Sequence, residues 1–253
     1  MGFNSCRTIG ALGMAVMLSA CASVPEAARD PQDPLEPYNR AVYKFNTDFD
    51  NAFLKPIAKG YKWITPAPVD RGITNFFNNI ADVTSAANNL FQFKLARLGS
   101  DLGRVAVNST VGFLGFVDVA TNMGLPSYKE DFGQTLGYWG AVPSPYFVIP
   151  FLGPSTIRDA IGRGGDAFTD PMFYINDATV VWSLVGLRVI DTRADLLTAT
   201  KILQEAALDP YTFVRDAFLQ RRLYEIYDGN PPPQVDEQQD QAAGAPGETG
   251  GSD

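Results

Sequence analysis

Tyr38, Val42, Phe45, Phe49 and Phe53 recur at steps of four, three, four and four residues. Only an α-helix gathers that spacing on one side. The pattern predicts a helix over 38–53, with Asn39, Arg40, Lys44, Asn46 and Asp48 off the stripe and the aromatic stripe packed into a core. A shorter helix over 54–63 is broken by Thr65-Pro66-Ala67-Pro68. Helical spacing then resumes: Ile73, Phe76, Phe77, Ile80 and Val83 form one face with Asn75, Asn78 and Asn79 on the other. A second segment over 86–107 carries Leu90, Phe93, Leu95, Leu98, Leu102 and Val105. Strict apolar–polar alternation is missing here, so the expected class is mainly α, with at most minor short strands.

The second half is less regular. Val111 to Ala120 is nearly all apolar, holds Gly112 and Gly115, and is too short to cross a bilayer as a helix. Two readings compete: a buried core helix, which apolar content alone favours, and a segment dipping into acyl chains. Asn108-Ser109-Thr110 matches a glycosylation sequon, which is given no weight. The proline-bracketed run Tyr146 to Phe151 is at most an edge strand or a loop with exposed aromatics. Ser155 or Thr156 can cap a helix expected to end at Gly162-Arg163-Gly164-Gly165, which lacks the lysine and spacing of a phosphate loop. A helix over 177–207 is expected to bury its first half. A last amphipathic helix over 209–227 ends at Asp228-Gly229 and Pro231-Pro232-Pro233, and the tail over 229–253 is polar, acidic and expected to be disordered.

The amino terminus sets the compartment. Arg7, the apolar run from Ile9 to Leu18, and the small pair Ser19-Ala20 make a secretory leader over 1–20. Leu18-Ser19-Ala20-Cys21 resembles the lipobox of bacterial lipoproteins, in which the cysteine, here Cys21, receives lipid. Residues 21–33 then read as a lipidated tether, and 34–228 as one folded domain. Cys6 leaves with the leader, so no thiol remains for a disulfide or a thiolate metal site. The chain contains no histidine, which excludes a Ser-His-Asp triad and the commonest metal ligand. No catalytic or metal-binding residues are assigned and no cofactor is expected. The formal charge of −8 leaves no footprint for nucleic acid.

Several motifs occur together: Asp33-Pro34-Leu35-Glu36-Pro37-Tyr38-Asn39-Arg40, then Tyr43-Lys44-Phe45-Asn46, Asn75-Phe76-Phe77, Asn108-Ser109-Thr110 with Gly112 and Asp118, Glu130 to Gly137, Gly153-Pro154-Ser155 with Arg158-Asp159, and Asp209-Pro210-Tyr211 with Arg215. In this order they resemble the MlaA (VacJ) family of outer-membrane lipoproteins over nearly the whole mature chain. The resemblance implies a ring-like helical domain in the periplasmic leaflet of the outer membrane, with an amphipathic channel. It further implies removal of mislocalised phospholipids from the outer leaflet, transfer to a soluble periplasmic lipid carrier, and association with a trimeric porin. The aliphatic-aromatic run Val111 to Ala120 is then expected at the channel or leaflet face. Candidate channel residues are Asn39, Arg40, Phe45, Asn46, Gly112, Phe113, Gly115, Gly153 and Ser155, with Cys21 as the lipidation site. The residue after Cys21 is alanine, which by resemblance to the enteric sorting rule favours the outer membrane. Two alternatives remain: a carboxylate-based glycan-cleaving enzyme using Glu130 and Asp131 near Tyr138 and Trp139, and a structural porin-associated lipoprotein.

Overall fold

A computed structural model describes residues 30–232. The leader, Cys21, most of the tether and most of the tail lie outside them. Helix α1 (Glu36–Phe49) passes through a π-helical turn (Asp50–Leu54) into α2 (Lys55–Ile64). Arg193 holds that turn through a bidentate pair with Asp50. Pro66 then starts α3 (Ala67–Phe91), twenty-five residues long. Its stop falls at Gln92–Lys94, where Phe93 adopts a φ of 58°, and α4 (Leu95–Thr110) packs back along it.

Short helices α5 (Val119–Asn122) and α6 (Phe132–Tyr138) follow, each started by an aspartate, Asp118 or Asp131, whose carboxylate caps a free amide. Strands β1 (Tyr146–Ile149) and β2 (Gly153–Thr156) form one antiparallel hairpin, with Tyr146 opposite Thr156 and Ile149 opposite Gly153. The chain closes with α7 (Ile157–Thr169), a 3-10 turn (Pro171–Tyr174), α8 (Ala178–Asp195), α9 (Leu197–Ala206) and α10 (Pro210–Ile226). The mainly α class, with one short hairpin, is as expected.

Helical spacing located the helices but misdirected their faces. Among the described residues, twenty-one polar or charged residues are buried against eleven apolar ones. The apolar cluster is small: Val42, Tyr146, Val148 and Tyr211, flanked by Tyr38, Tyr43, Phe218 and Leu219. On α1 the buried residues are Asn39 and Val42, whereas Phe45 and Phe53 are about half exposed. Asn79, expected on the outer face of α3, is buried and donates to Ser109. The segment expected over 86–107 is broken at Gln92–Lys94, and its Leu90, Phe93, Leu95 and Leu102 are exposed. The reason is visible inside: Asp82, Ser85 and Asn89 of α3 meet Asp101 and Arg104 of α4 along the helix contact and bond to one another there.

Four more expectations are corrected. Val111 to Val117 is not a core helix; it is a turn-rich loop in which Phe113, Leu114 and Gly115 all have positive φ. Helix α7 does not stop at Gly162; it runs on to Thr169, because its glycines are a contact surface. A β-carbon at Gly162 would lie 2.4 Å from the Gly133 nitrogen, and one at Gly165 2.5 Å from the Phe132 ring. The predicted 177–207 helix breaks at Leu196, and its first half is the exposed one: Asp191 and Ala194 are buried, Trp182 is 72% exposed. The fold also begins before Pro34. Asp33 is buried, accepting from Asn39, Tyr211 and Arg215, which fixes the end of the tether to the domain.

Candidate functional site

The motif residues separate into two groups on different scaffolds. Asn39 and Asn46 lie seven apart on α1, hence two turns along one face. Asn39 donates to the Tyr146 carbonyl at 3.1 Å and accepts from the Val148 amide at 2.8 Å. Asn46 repeats the pattern, donating to the Ile149 carbonyl at 3.0 Å and accepting from the Phe151 amide at 2.7 Å. The two amides thus hold the outer edge of β1 as a further strand would. Between them Phe45 meets Phe151 edge-on, with ring centroids 5.1 Å apart, and leaves an aromatic surface facing outward. Arg40 lies over the Tyr211 ring at 4.3 Å and binds Asp209, the cap of α10. Gly153, at a φ of +84°, closes the hairpin over open space, and Ser155 is fully buried beneath it.

Gly112, Phe113 and Gly115 belong to the second group, the loop over 111–118. No hydrogen bond among the described residues joins it to the hairpin. Asn108 fixes the loop: its carbonyl oxygen accepts from the Val119 and Ala120 amides, both at 2.9 Å, and its amide donates to Asp118. At Gly112 a β-carbon would sit 2.1 Å from the Val117 carbonyl oxygen, so no other residue fits. With its backbone so held, the loop leaves Phe113 80% exposed and Val111 and Leu114 about two-thirds exposed, while Phe116 stacks on Phe76. Of the two readings of Val111 to Ala120, the buried helix is overturned and an outward apolar loop is what forms.

Beneath these surfaces lies an ionic interior that the motif reading passed over. Arg222 of α10 binds two carboxylates at once, Asp159 at 2.9 Å and Asp131 at 2.7 Å. Arg158 also pairs with Asp159. Glu130 accepts from Lys94 and Arg97, and Arg104 pairs with Asp82 and Asp118. Burial would raise the Asp131 carboxyl, but the hydrogen bonds and charge of Arg222 hold it below the usual carboxylate range. The signal available in sequence was a polar repeat: Asp82, Ser85, Asn89 and Gln92, and Asp101, Arg104 and Asn108, are spaced as regularly as the apolar residues beside them.

Two helices frame a cleft of about 480 Å³. Helix α3 contributes Asn78, Ala81, Asp82 and Ser85, and α7 contributes Arg163, Asp166 and Ala167 with Asp170 just past its end, each set one face of its helix. Small residues at the centre of both stripes keep the helices from filling the space. Lys129, Glu130 and Asp131 line another wall and Arg188 of α8 one end. Burial pushes the Asp166 carboxyl up to about 6, against hydrogen bonds from the Phe132 amide and Asn88. A carboxyl raised in the folded state costs stability once pH rises past it. Asp166→Asn keeps both acceptor bonds, and we expect it to stabilise the protein by about 1–3 kcal/mol at pH 7.5 and to lose that advantage near pH 4. Denaturant unfolding of both proteins across that range checks this; equal pH profiles would show that Asp166 ionises normally.

Comparison with known proteins bears on the whole chain. The family model described as MlaA lipoprotein matches residues 31–225. The intermembrane phospholipid transport system lipoprotein MlaA of Escherichia coli K12 is 33% identical over 225 residues, 86% of this chain and 88% of that protein. Its namesake in Haemophilus influenzae is 30% identical, covering 87% of this chain and 90% of that one. A chain solved in work on the structural basis for maintenance of bacterial outer membrane lipid asymmetry superposes with a TM-score of 0.68 at 30% identity, covering 80% of this chain and all of its own. Motifs, fold and full-length similarity agree: this chain belongs to the MlaA lipoprotein family.

Proposed function

We propose that this protein is an outer-membrane lipoprotein that takes mislocalised phospholipids from the outer leaflet, passes them through an amphipathic channel in a ring-like domain, and delivers them to a soluble periplasmic carrier. The observation that carries this reading is the inverted burial. A chain folding in water alone would be expected to cover Trp63, Phe93, Phe113 and Trp182, each more than 70% exposed. A domain seated in acyl chains has no need to, provided its backbone bonds are internal, and helices and one hairpin supply that. No described helix is long and apolar enough to cross a membrane, which suits a domain resident in one leaflet. A trimeric porin would cover part of the same apolar surface.

In this reading the hairpin held by Asn39 and Asn46, with Phe45, Arg40, Gly153 and Ser155, and the loop carrying Gly112, Phe113 and Gly115 line the lipid path. Cys21 carries the lipid that directs the protein to the membrane. Deletion of the gene is expected to raise the surface phosphatidylethanolamine labelled by a membrane-impermeant amine reagent. Unchanged labelling would remove the transport role and leave the structural porin-associated reading. Separately, Cys21→Ala protein secreted with an ordinary leader is expected to float with phospholipid vesicles, since the domain seats itself. Complete solubility would restore a simple lipid anchor.

The glycan-cleaving alternative needs one protonated and one ionised carboxyl flanking a bond. Glu130 is buried between Lys94 and Arg97, and Asp131 caps α6 and is held by Arg222. Both are engaged by cations within the fold, which counts against that role.

A further inference from the structure

The cleft between α3 and α7 is lined by charges of both signs, and the pairing among them is unequal. Asp82 is paired with Arg104, Glu130 with Lys94 and Arg97, Asp131 with Arg222, and Asp170 with Arg188. Asp166 accepts only neutral donors, the Phe132 amide and Asn88, and its carboxyl sits near 6. The lining cations Lys129 and Arg163 are different. Among the described residues Lys129 has one neutral partner, Asn78 at 3.3 Å, and no carboxylate; Arg163 has no hydrogen-bond or ion-pair partner. The cleft therefore presents two cations with no carboxylate partner among the described residues, on a chain whose net charge is −8.

We propose that Lys129 and Arg163 form the head-group subsite of this protein, receiving the phosphodiester of a glycerophospholipid. This rests on the transport reading above. Phosphate oxygens accept charge-assisted bonds from both cation types, and arginine presents a planar fork that fits two of them. A volume of about 480 Å³ lies within the range of small-molecule sites. What selects a lipid over free phosphate is the opposite flank of α7. Ile161 and Phe168, 64% and 66% exposed, lie across the helix from Arg163 and Asp166, so an apolar surface begins about 10 Å, one helix width, from the cations. A head group in the cleft leaves its acyl chains at the edge of that surface.

The test uses the full-length protein in mild detergent, titrated calorimetrically with dihexanoyl phosphatidylethanolamine, with dihexanoylglycerol, which has no phosphate, and with inorganic phosphate. The double variant Lys129→Gln and Arg163→Gln is expected to bind the phospholipid about tenfold more weakly and dihexanoylglycerol unchanged; Lys129→Arg with Arg163→Lys retains most of the affinity. Both side chains are exposed, so melting temperature and helix content should stay at wild-type values. Equal phospholipid affinity in the double variant overturns the subsite and leaves the transport reading standing. Failure of the unmodified protein to bind any phospholipid overturns both. Inorganic phosphate binding as tightly as the phospholipid would make this a free-anion site and overturn the lipid assignment.

Discussion

Arg222→Ala is expected to destabilise the protein by about 3–5 kcal/mol, the cost of taking one shared cation out of a buried ion cluster. Asp159 is the residue that bears it. Its side chain is 8% exposed and takes two bonds from Arg222, at 2.9 Å each, besides those from Arg158. Asp131 is more exposed, at 37% of its side chain, and can recover water. The same guanidinium ties α10 to α6 and α7, so its loss loosens the wall of the cleft as well. At about 2–4 °C per kcal/mol for a domain of this size, the melting temperature should fall by roughly 10 °C or more. Combining Arg222→Met with Asp159→Asn should return little of the loss, since Asp159→Asn also takes from the buried Arg158 its carboxylate partner. A single variant within 1 kcal/mol of wild type would show that water reaches Asp159 and that the network is not a clamp.

The second large effect contrasts two glycines on one helix. Gly162→Ala gains roughly 1 kcal/mol of helix propensity, yet its β-carbon would meet the Gly133 nitrogen at 2.4 Å and Cα at 2.7 Å. Backbone cannot step aside as a flexible side chain can. Gly133 itself is confined on its other side: a β-carbon there would lie 2.5 Å from an Asp159 carboxylate oxygen and 2.9 Å from the Arg222 guanidinium. Helix α6 would have to move off α7 and strain the ionic cluster, so we expect a net loss of about 2–4 kcal/mol. Gly164→Ala, two residues on, meets nothing within 4 Å and should stabilise by up to about 1 kcal/mol. Opposite signs in denaturant unfolding would establish that the α6–α7 contact is a backbone contact. Similar effects for both would mean that the helices can separate at little cost.

Gly162-Arg163-Gly164-Gly165 also shows where reading the sequence fails. Three glycines in four residues look like a stop signal, and only the presence of Gly133 and Phe132 opposite turns two of them into a packing surface. The hairpin was partly legible: proline brackets and the apolar run located β1, but the use of Asn39 and Asn46 as substitutes for a third strand depends on contacts across more than 100 residues. The carboxylates Glu130 and Asp131 stood out in sequence as a pair. Their partners Lys94, Arg97 and Arg222 did not, because nothing local marks which cation meets which anion.

Taken alone, the sequence determined where most of the longer helices lie, that no histidine is available, and which family motifs the chain carries. Periodicity does this because side chains three and four apart share a face whatever surrounds the helix. It cannot say which way the face points. That choice belongs to tertiary structure: here Asn89 bonds to Asp101 and Arg104 to Asp82 inside. Leu90, Leu95 and Leu102 stay outside. Buried polar groups must find partners, and exposed apolar groups need only a solvent that does not penalise them. Only the folded arrangement shows which partners they find.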